Sequence, residues 1–192
     1  LLFHAGEVNA GHGHMDVGNF LFDAEGERWA IDLGADDYNL PGYFNYNIRY
    51  NYYRTRAEGH NLVVLNPSKD GGQAWTGKGI VTNFVTKPRG GFAVVDLSNV
   101  YADVESYNRG YLFTNDRNVA IIQDEISTKT PSELYWFMHT KANIDVAPDG
   151  KSAILTMGDA KVCAKLLSGD GQFEVMNATP LPTSPTYDSQ NK

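Results

Sequence analysis

Apolar residues recur at every second position in short runs along most of the chain, and glycine, proline, asparagine or aspartate closes most runs. That period is the signature of strands with one buried face. The clearest hairpin is "NFLFDAEGERWAIDLG", whose two arms flank Ala24-Glu25-Gly26-Glu27, with Gly26 able to supply a positive φ. "HNLVVLNP" reads as a buried strand closed by Asn66-Pro67. Further strands are predicted in "GIVTNFVTK", "GFAVVDLSNVY", "RGYLFTNDRNVAIIQDEIST", "ELYWFMHTK", "KSAILTMGDAKVCAKLLS" and "QFEVMNA". Asp116-Arg117-Asn118 and Pro148-Asp149-Gly150 supply turns. No stretch carries a long helical period with caps. The pattern predicts an all-β fold, an antiparallel β-sandwich. The domain is placed at residues 1–180, and the Pro/Ser/Thr-rich "PLPTSPTYDSQNK" makes 181–192 an extended or mobile tail.

Composition narrows the classes. A chain of 192 residues fits one domain, which buries roughly 70% of its unfolded surface. Hydrophobic residues at 42% and charged residues at 20% set it apart from disordered chains. A net charge of -7 argues against nucleic acid as a partner. Cys163 is the only cysteine, which excludes an internal disulfide and a C-x-x-C metal site. No apolar run has membrane-spanning length, so no membrane partner is expected. The opening "LLFHAGE" lacks an initiating Met and reads as a strand entered midway, so a piece of a longer protein is expected.

Candidate chemistry begins in "AGHGHMDVGNF", residues 10–20, where His12, His14 and Asp16 fall at every second position. In an extended backbone such residues share a face and can converge. Zinc needs three or four ligands at about 2 Å. Asp32 in "AIDLG" and His60 in "RAEGHNLVV" are further candidates, since a buried carboxylate is costly unless paired or bound to metal. A polar exposed turn is the competing reading. A cupin arrangement fits Gly6 and His12-x-His14 but needs a glutamate where Gly18 and Asn19 stand.

A second concentration is "DDYNLPGYFNYNIRYNYYRTR", residues 36–56. It holds six of the eleven tyrosines, Tyr38, Tyr43, Tyr46, Tyr50, Tyr52 and Tyr53, interleaved with Arg49, Arg54 and Arg56. One reading is a strand pair with aromatic cross-strand packing. The other is a surface for an anionic sugar, with rings stacking on pyranose faces and guanidinium groups clamping carboxylate or sulfate. His139, Trp29 and Trp136 read as structural, Trp75 as a loop anchor, and Asp124-Glu125 as a strand-end acidic pair with no nearby partner that would mark an acid/base couple.

In order, "HGHMDVGNFLFDAEGERWAIDLGADDYNLPGYF" and "RYNYYRTRAEGHNLVVLNP" resemble the C-terminal β-sandwich region of the heparinase II/III-like polysaccharide lyases. The resemblance is strongest over residues 3–67 and continues through "VVDLSNVY", "DEI" and "YWFMHT". It implies a supersandwich-like β domain that works with an N-terminal helical (α/α) toroid, which this chain lacks. The implied reaction is β-elimination on acidic, uronate-containing polysaccharides in the bacterial periplasm or outside the cell. By motif, the implied zinc ligands are His14, Asp32 and His60, and the implied catalytic histidine is His12. Tyr46 and Tyr50 are candidate catalytic tyrosines, and Tyr43, Arg49 and Arg54 candidate substrate contacts. Zinc would act as a pin for the His14 loop, with Asp16 orienting an imidazole. The principal tyrosine base belongs to the toroid, so the chain alone is expected to be inactive, and it stops before the family's last sandwich strands. The competing function is a non-catalytic carbohydrate-binding or structural sandwich with a stabilising zinc.

Overall fold

The computed structural model describes residues 1–68, 72–114 and 118–186. The first part carries β1 (Leu2–Phe3), β2 (Gly6–Glu7), β3 (Phe20–Ala24) and β4 (Glu27–Ala30). A short helix α1 (Tyr46–Arg49) and two 3-10 turns (Tyr53–Thr55 and Ala57–Gly59) follow. Next come β5 (Val63–Leu65), β6 (Lys78–Lys87), β7 (Gly90–Asp96), β8 (Val104–Phe113) and β9 (Ala120–Thr128). The last strands are β10 (Leu134–Trp136), β11 (Asn143–Val146), β12 (Ser152–Met157) and β13 (Ala160–Lys165).

The strands form an antiparallel β-sandwich, as the alternation predicts. Its largest sheet has the order β2-β6-β7-β8-β9; smaller sheets are β1-β3-β4, β5 with β10, and β11-β12-β13. The inner face of the large sheet brings Ala93, Val95, Tyr107 and Tyr111 against Phe20, Ala30, Leu62 and Val63. A second core packs Trp29 on Ala153 and Leu155, joining β4 to the β12 sheet. The β3–β4 hairpin turns through Glu25 and Gly26 at φ 54° and 80°, the left-handed pair that two-residue hairpins favour. Among the described residues no helix is long and apolar enough to cross a membrane.

Three expectations change. Residues 36–56 form turns and α1 in place of a strand pair: Pro41-Gly42 breaks extension, and the Asn45 side chain accepts from Asn47 N at 3.0 Å and caps the helix. "QFEVMNA" forms no strand; its Phe173 N donates to Gly150 O at 2.7 Å, a turn and not a neighbouring strand. Residues 181–186 of the expected tail touch the domain: Leu181 and Ser184 are buried, and Ser184 Oγ donates to Glu58 Oε2 at 3.0 Å. Asp124 and Glu125 lie within β9 and not at a strand end; Arg109 Nε and Nη2 grip the two oxygens of Asp124 at 2.6 and 2.9 Å, and Tyr107 donates to it at 2.8 Å. The turn predicted at Asp116-Arg117 lies outside the described residues.

Candidate active site

The loop leaving β2 folds back on itself at the two histidines. Gly13 N donates to Ala10 O at 2.7 Å, and a Cβ on Gly13 would stand 2.7 Å from that oxygen and 2.8 Å from Val8 O. Only glycine fits there. His12 precedes it at φ 62°, in the left-handed region, where a side chain carries a cost of order 1 kcal/mol unless neighbours restrain it. Its ring is exposed, 6.2 Å from Tyr38 and 5.9 Å from Phe44 between centroids.

Three segments bring the expected metal ligands together. Asp32 follows β4 in a loop fixed by Ile31 N donating to His139 O at 2.9 Å. His60 leaves the second 3-10 turn, where Gly59 is required because a Cβ would collide with the Tyr53 carbonyl. His60 is fully buried, and its Nδ1 lies 2.8 Å from Asp32 Oδ2. Asn19 Nδ2 and Gly34 N also donate to Asp32, at 2.7 and 2.6 Å. Burial disfavours the Asp32 charge, yet these partners outweigh it and hold the carboxyl well below the usual range. The His14 ring centroid is 5.3 Å from that of His60. Burial, then the charge of His60, lowers His14 to about 4, so at neutral pH it is an uncharged imidazole with a lone pair to offer.

The trio is gathered without being preset: among the described residues no group of three or more His, Cys, Asp or Glu is arranged to hold a metal ion. The donor chemistry fits zinc all the same. A His60 that donates from Nδ1 to Asp32 has its lone pair on Nε2, and that atom is buried with no partner. Behind it, His139 Nε2 lies 3.1 Å from the Tyr53 hydroxyl, which burial pushes up and so keeps protonated, while His139 Nδ1 is buried and unpartnered. Burial and the His60 charge lower His139 to about 4. The imidazole that Asp16 orients is His4, with Nδ1 3.3 Å from Asp16 Oδ1.

The aromatic segment divides differently from expectation. Tyr43 and Arg49 are 1% and 2% exposed, and neither offers a glycan a surface. The Arg49 guanidinium donates to Tyr43 O, His12 O and Gly13 O at 3.0, 3.0 and 3.3 Å and lies 4.4 Å over the Tyr43 ring. Tyr50 is buried with its hydroxyl 3.5 Å from Gly13 O, and burial raises it to about 12, away from the range of a base. Arg54 is half-buried and donates to Leu33 O. Tyr46 is exposed and packs on Trp75, with ring centroids 4.6 Å apart. Tyr38 and Phe44, 51% and 54% exposed, are the rings beside His12. Tyr38 is one of the six tyrosines of the aromatic run, outside the narrower set of candidate contacts, and Phe44 carries no expectation from the sequence.

The family described as "Heparinase II/III-like, C-terminal" matches residues 1–186. No match is found among curated proteins. Among solved structures, the heparan sulfate lyase HepC from Pedobacter heparinus aligns with a TM-score of 0.66 and 16% identity over 83% of this chain. A heparinase III, the BT4657 gene product, aligns with a TM-score of 0.62 and 19% identity over 79%. The chain spans only 24% and 22% of those two proteins. At such identities the structures share a fold, whereas the family match covers nearly the whole chain. The chain belongs to the heparinase II/III-like family, in its C-terminal part.

Proposed function

We propose that the chain is the β-sandwich part of a zinc-containing polysaccharide lyase that cleaves uronate glycans by β-elimination. The rest of the active site would come from an N-terminal helical toroid outside this chain. The observation that supports the reading best is the gathering of His14, Asp32 and His60 from three separate segments beside an exposed His12. The heparan sulfate lyase among the structural neighbours favours an acidic glycosaminoglycan as substrate, and the family resemblance favours action in the bacterial periplasm or outside the cell.

β-Elimination removes the proton α to the uronate carboxylate and breaks the bond to the leaving oxygen, which takes a proton. In this chain His12 is the group that exchanges a proton or hydrogen bond with the sugar. Tyr38 and Phe44, packed on each other beside it, offer apolar faces for pyranose stacking, and Tyr46 with Trp75 forms a second aromatic pair. Tyr50, protonated at neutral pH, serves as a donor and braces the turn. His14, Asp32 and His60 would hold zinc, which supplies a fixed positive charge that pins the His14 loop.

The direct test is His12→Ala in the full-length lyase, followed by the ultraviolet absorbance of the unsaturated uronate. Product formation is expected to fall by at least about a hundredfold, the usual contribution of a proton-transfer group. Full activity would leave the sandwich a carbohydrate-binding or structural part only. Stoichiometric zinc, removable by a chelator with loss of thermal stability, is expected in the same protein.

A further inference from the structure

Arg49 ends α1 with its guanidinium inside the protein, in contact with three backbone carbonyls from two loops. We infer that Arg49 is a positioning residue that fixes the His12–Gly13–His14 turn against the aromatic loop and so holds His12 against the paired rings of Tyr38 and Phe44. This rests on the role proposed above for His12.

The turn needs such a brace. His12 occupies the left-handed region without being glycine, and such a conformation persists where surroundings over-determine it. A guanidinium presents its N–H groups in one rigid plane, so a single side chain holds several carbonyls in fixed relation. Two of those carbonyls belong to His12 and Gly13, and the third, Tyr43 O, adjoins Phe44. The far side of the turn is tied to the same loop: Met15 N donates to Thr55 O at 2.9 Å, and Thr55 Oγ1 donates to Arg49 O at 2.6 Å. The segment from Tyr43 to Thr55 therefore grips the histidine turn at both ends. A lysine would bring charge without the fork, and an apolar side chain would bring neither.

Three variants of the chain decide the matter: Arg49→Met, Arg49→Lys and Leu155→Ala. Leu155 lies in the second core, so its truncation lowers global stability without touching the turn. Amide hydrogen exchange at residues 8–16 is followed in the zinc-free protein, and zinc affinity by chelator competition. Arg49→Met is expected to speed exchange at Gly13 and Met15 roughly tenfold beyond the Leu155→Ala control, and to weaken zinc binding by about the same factor. Arg49→Lys is expected to behave like Arg49→Met. Equal exchange in Arg49→Met and Leu155→Ala would reduce Arg49 to a contributor to global stability and overturn the inference, as would wild-type behaviour in Arg49→Lys. If Arg49→Met does not fold, Arg49→Lys against Leu155→Ala decides. A wild-type chain without measurable zinc affinity defeats the zinc reading, while the exchange comparison still decides the role of Arg49.

Discussion

Arg109→Met is expected to destabilise the chain by about 3–5 kcal/mol, a large share of the 5–15 kcal/mol that holds a typical domain folded. Arg109 is fully buried, and it grips both oxygens of Asp124 from the neighbouring strand. Removing it strands a carboxylate that is 13% exposed, with the Tyr107 hydroxyl the one remaining side-chain donor to it among the described residues. An unpaired buried charge costs more than the pair contributes, so the loss exceeds that of an ordinary hydrogen bond. Arg109 also donates from Nη1 to Gly18 O at 3.0 Å and to Asn61 O at 2.9 Å. Gly18 closes the loop that carries His14, and Asn61 follows His60, so one cation ties both histidine-bearing segments to the large sheet. Urea unfolding measures the effect as a fall in midpoint at constant slope. The double variant Arg109→Met with Asp124→Leu should recover part of the stability, because the stranded charge is gone. A single variant within about 1 kcal/mol of wild type would refute this account, since a broken buried pair costs several times that.

The sandwich was legible because its strands obey the period of two, and β8 shows why: Tyr107, Arg109 and Tyr111 face inward at alternate positions. The same register made Arg109 and Asp124 cross-strand partners, Cα opposite Cα. Pairing β8 with β9 on paper would have revealed the ion pair, which the sequence reading of Asp124 in isolation missed. The segment 36–56 was illegible for a different reason. Its hydrophobic and polar residues follow no single period, and local devices such as the Asn45 cap decide its path. Aromatic content alone does not say which rings turn inward, and so Tyr43 and Arg49 were assigned to a surface that Tyr38 and Phe44 occupy. Residue type makes His14, Asp32 and His60 a plausible two-histidine, one-carboxylate set, and the resemblance to a family adds the implied role of ligands. The contact of Tyr53 with His139 had no signal at all, because nothing local links two residues so far apart in the chain.

Acidifying the zinc-free chain from pH 7 to pH 4 is expected to remove a few kcal/mol of stability. His14 and His139 are both lowered to about 4 in the fold, chiefly by burial, against about 6.5 in the unfolded chain. Between those values the unfolded chain takes up protons that the folded chain refuses, and stability falls with pH. Each group contributes at most about 3 kcal/mol across that window, from the difference of the two values at 1.36 kcal/mol per unit. His4 opposes the trend: its hydrogen bond to Asp16 raises it, so its stabilisation is fully present below about 6.5. Glu58, raised by burial, works in that same opposing sense at lower pH. Asp32 and Asp16 are held low and hold their stabilisation until the pH falls below the ordinary carboxylate range. Within the window from 6.5 to 4 the two buried imidazoles lower stability, and the raised Glu58 carboxyl offsets part of that fall. His139→Gln separates them, since glutamine keeps a polar partner for Tyr53 without titrating. Denaturation midpoints measured in chelator at pH 7, 6, 5 and 4 should fall steeply for the wild type and about half as steeply for the variant. A wild-type midpoint that stays level down to pH 4.5, or a variant as steep as the wild type, would mean that these imidazoles are not held neutral by the fold.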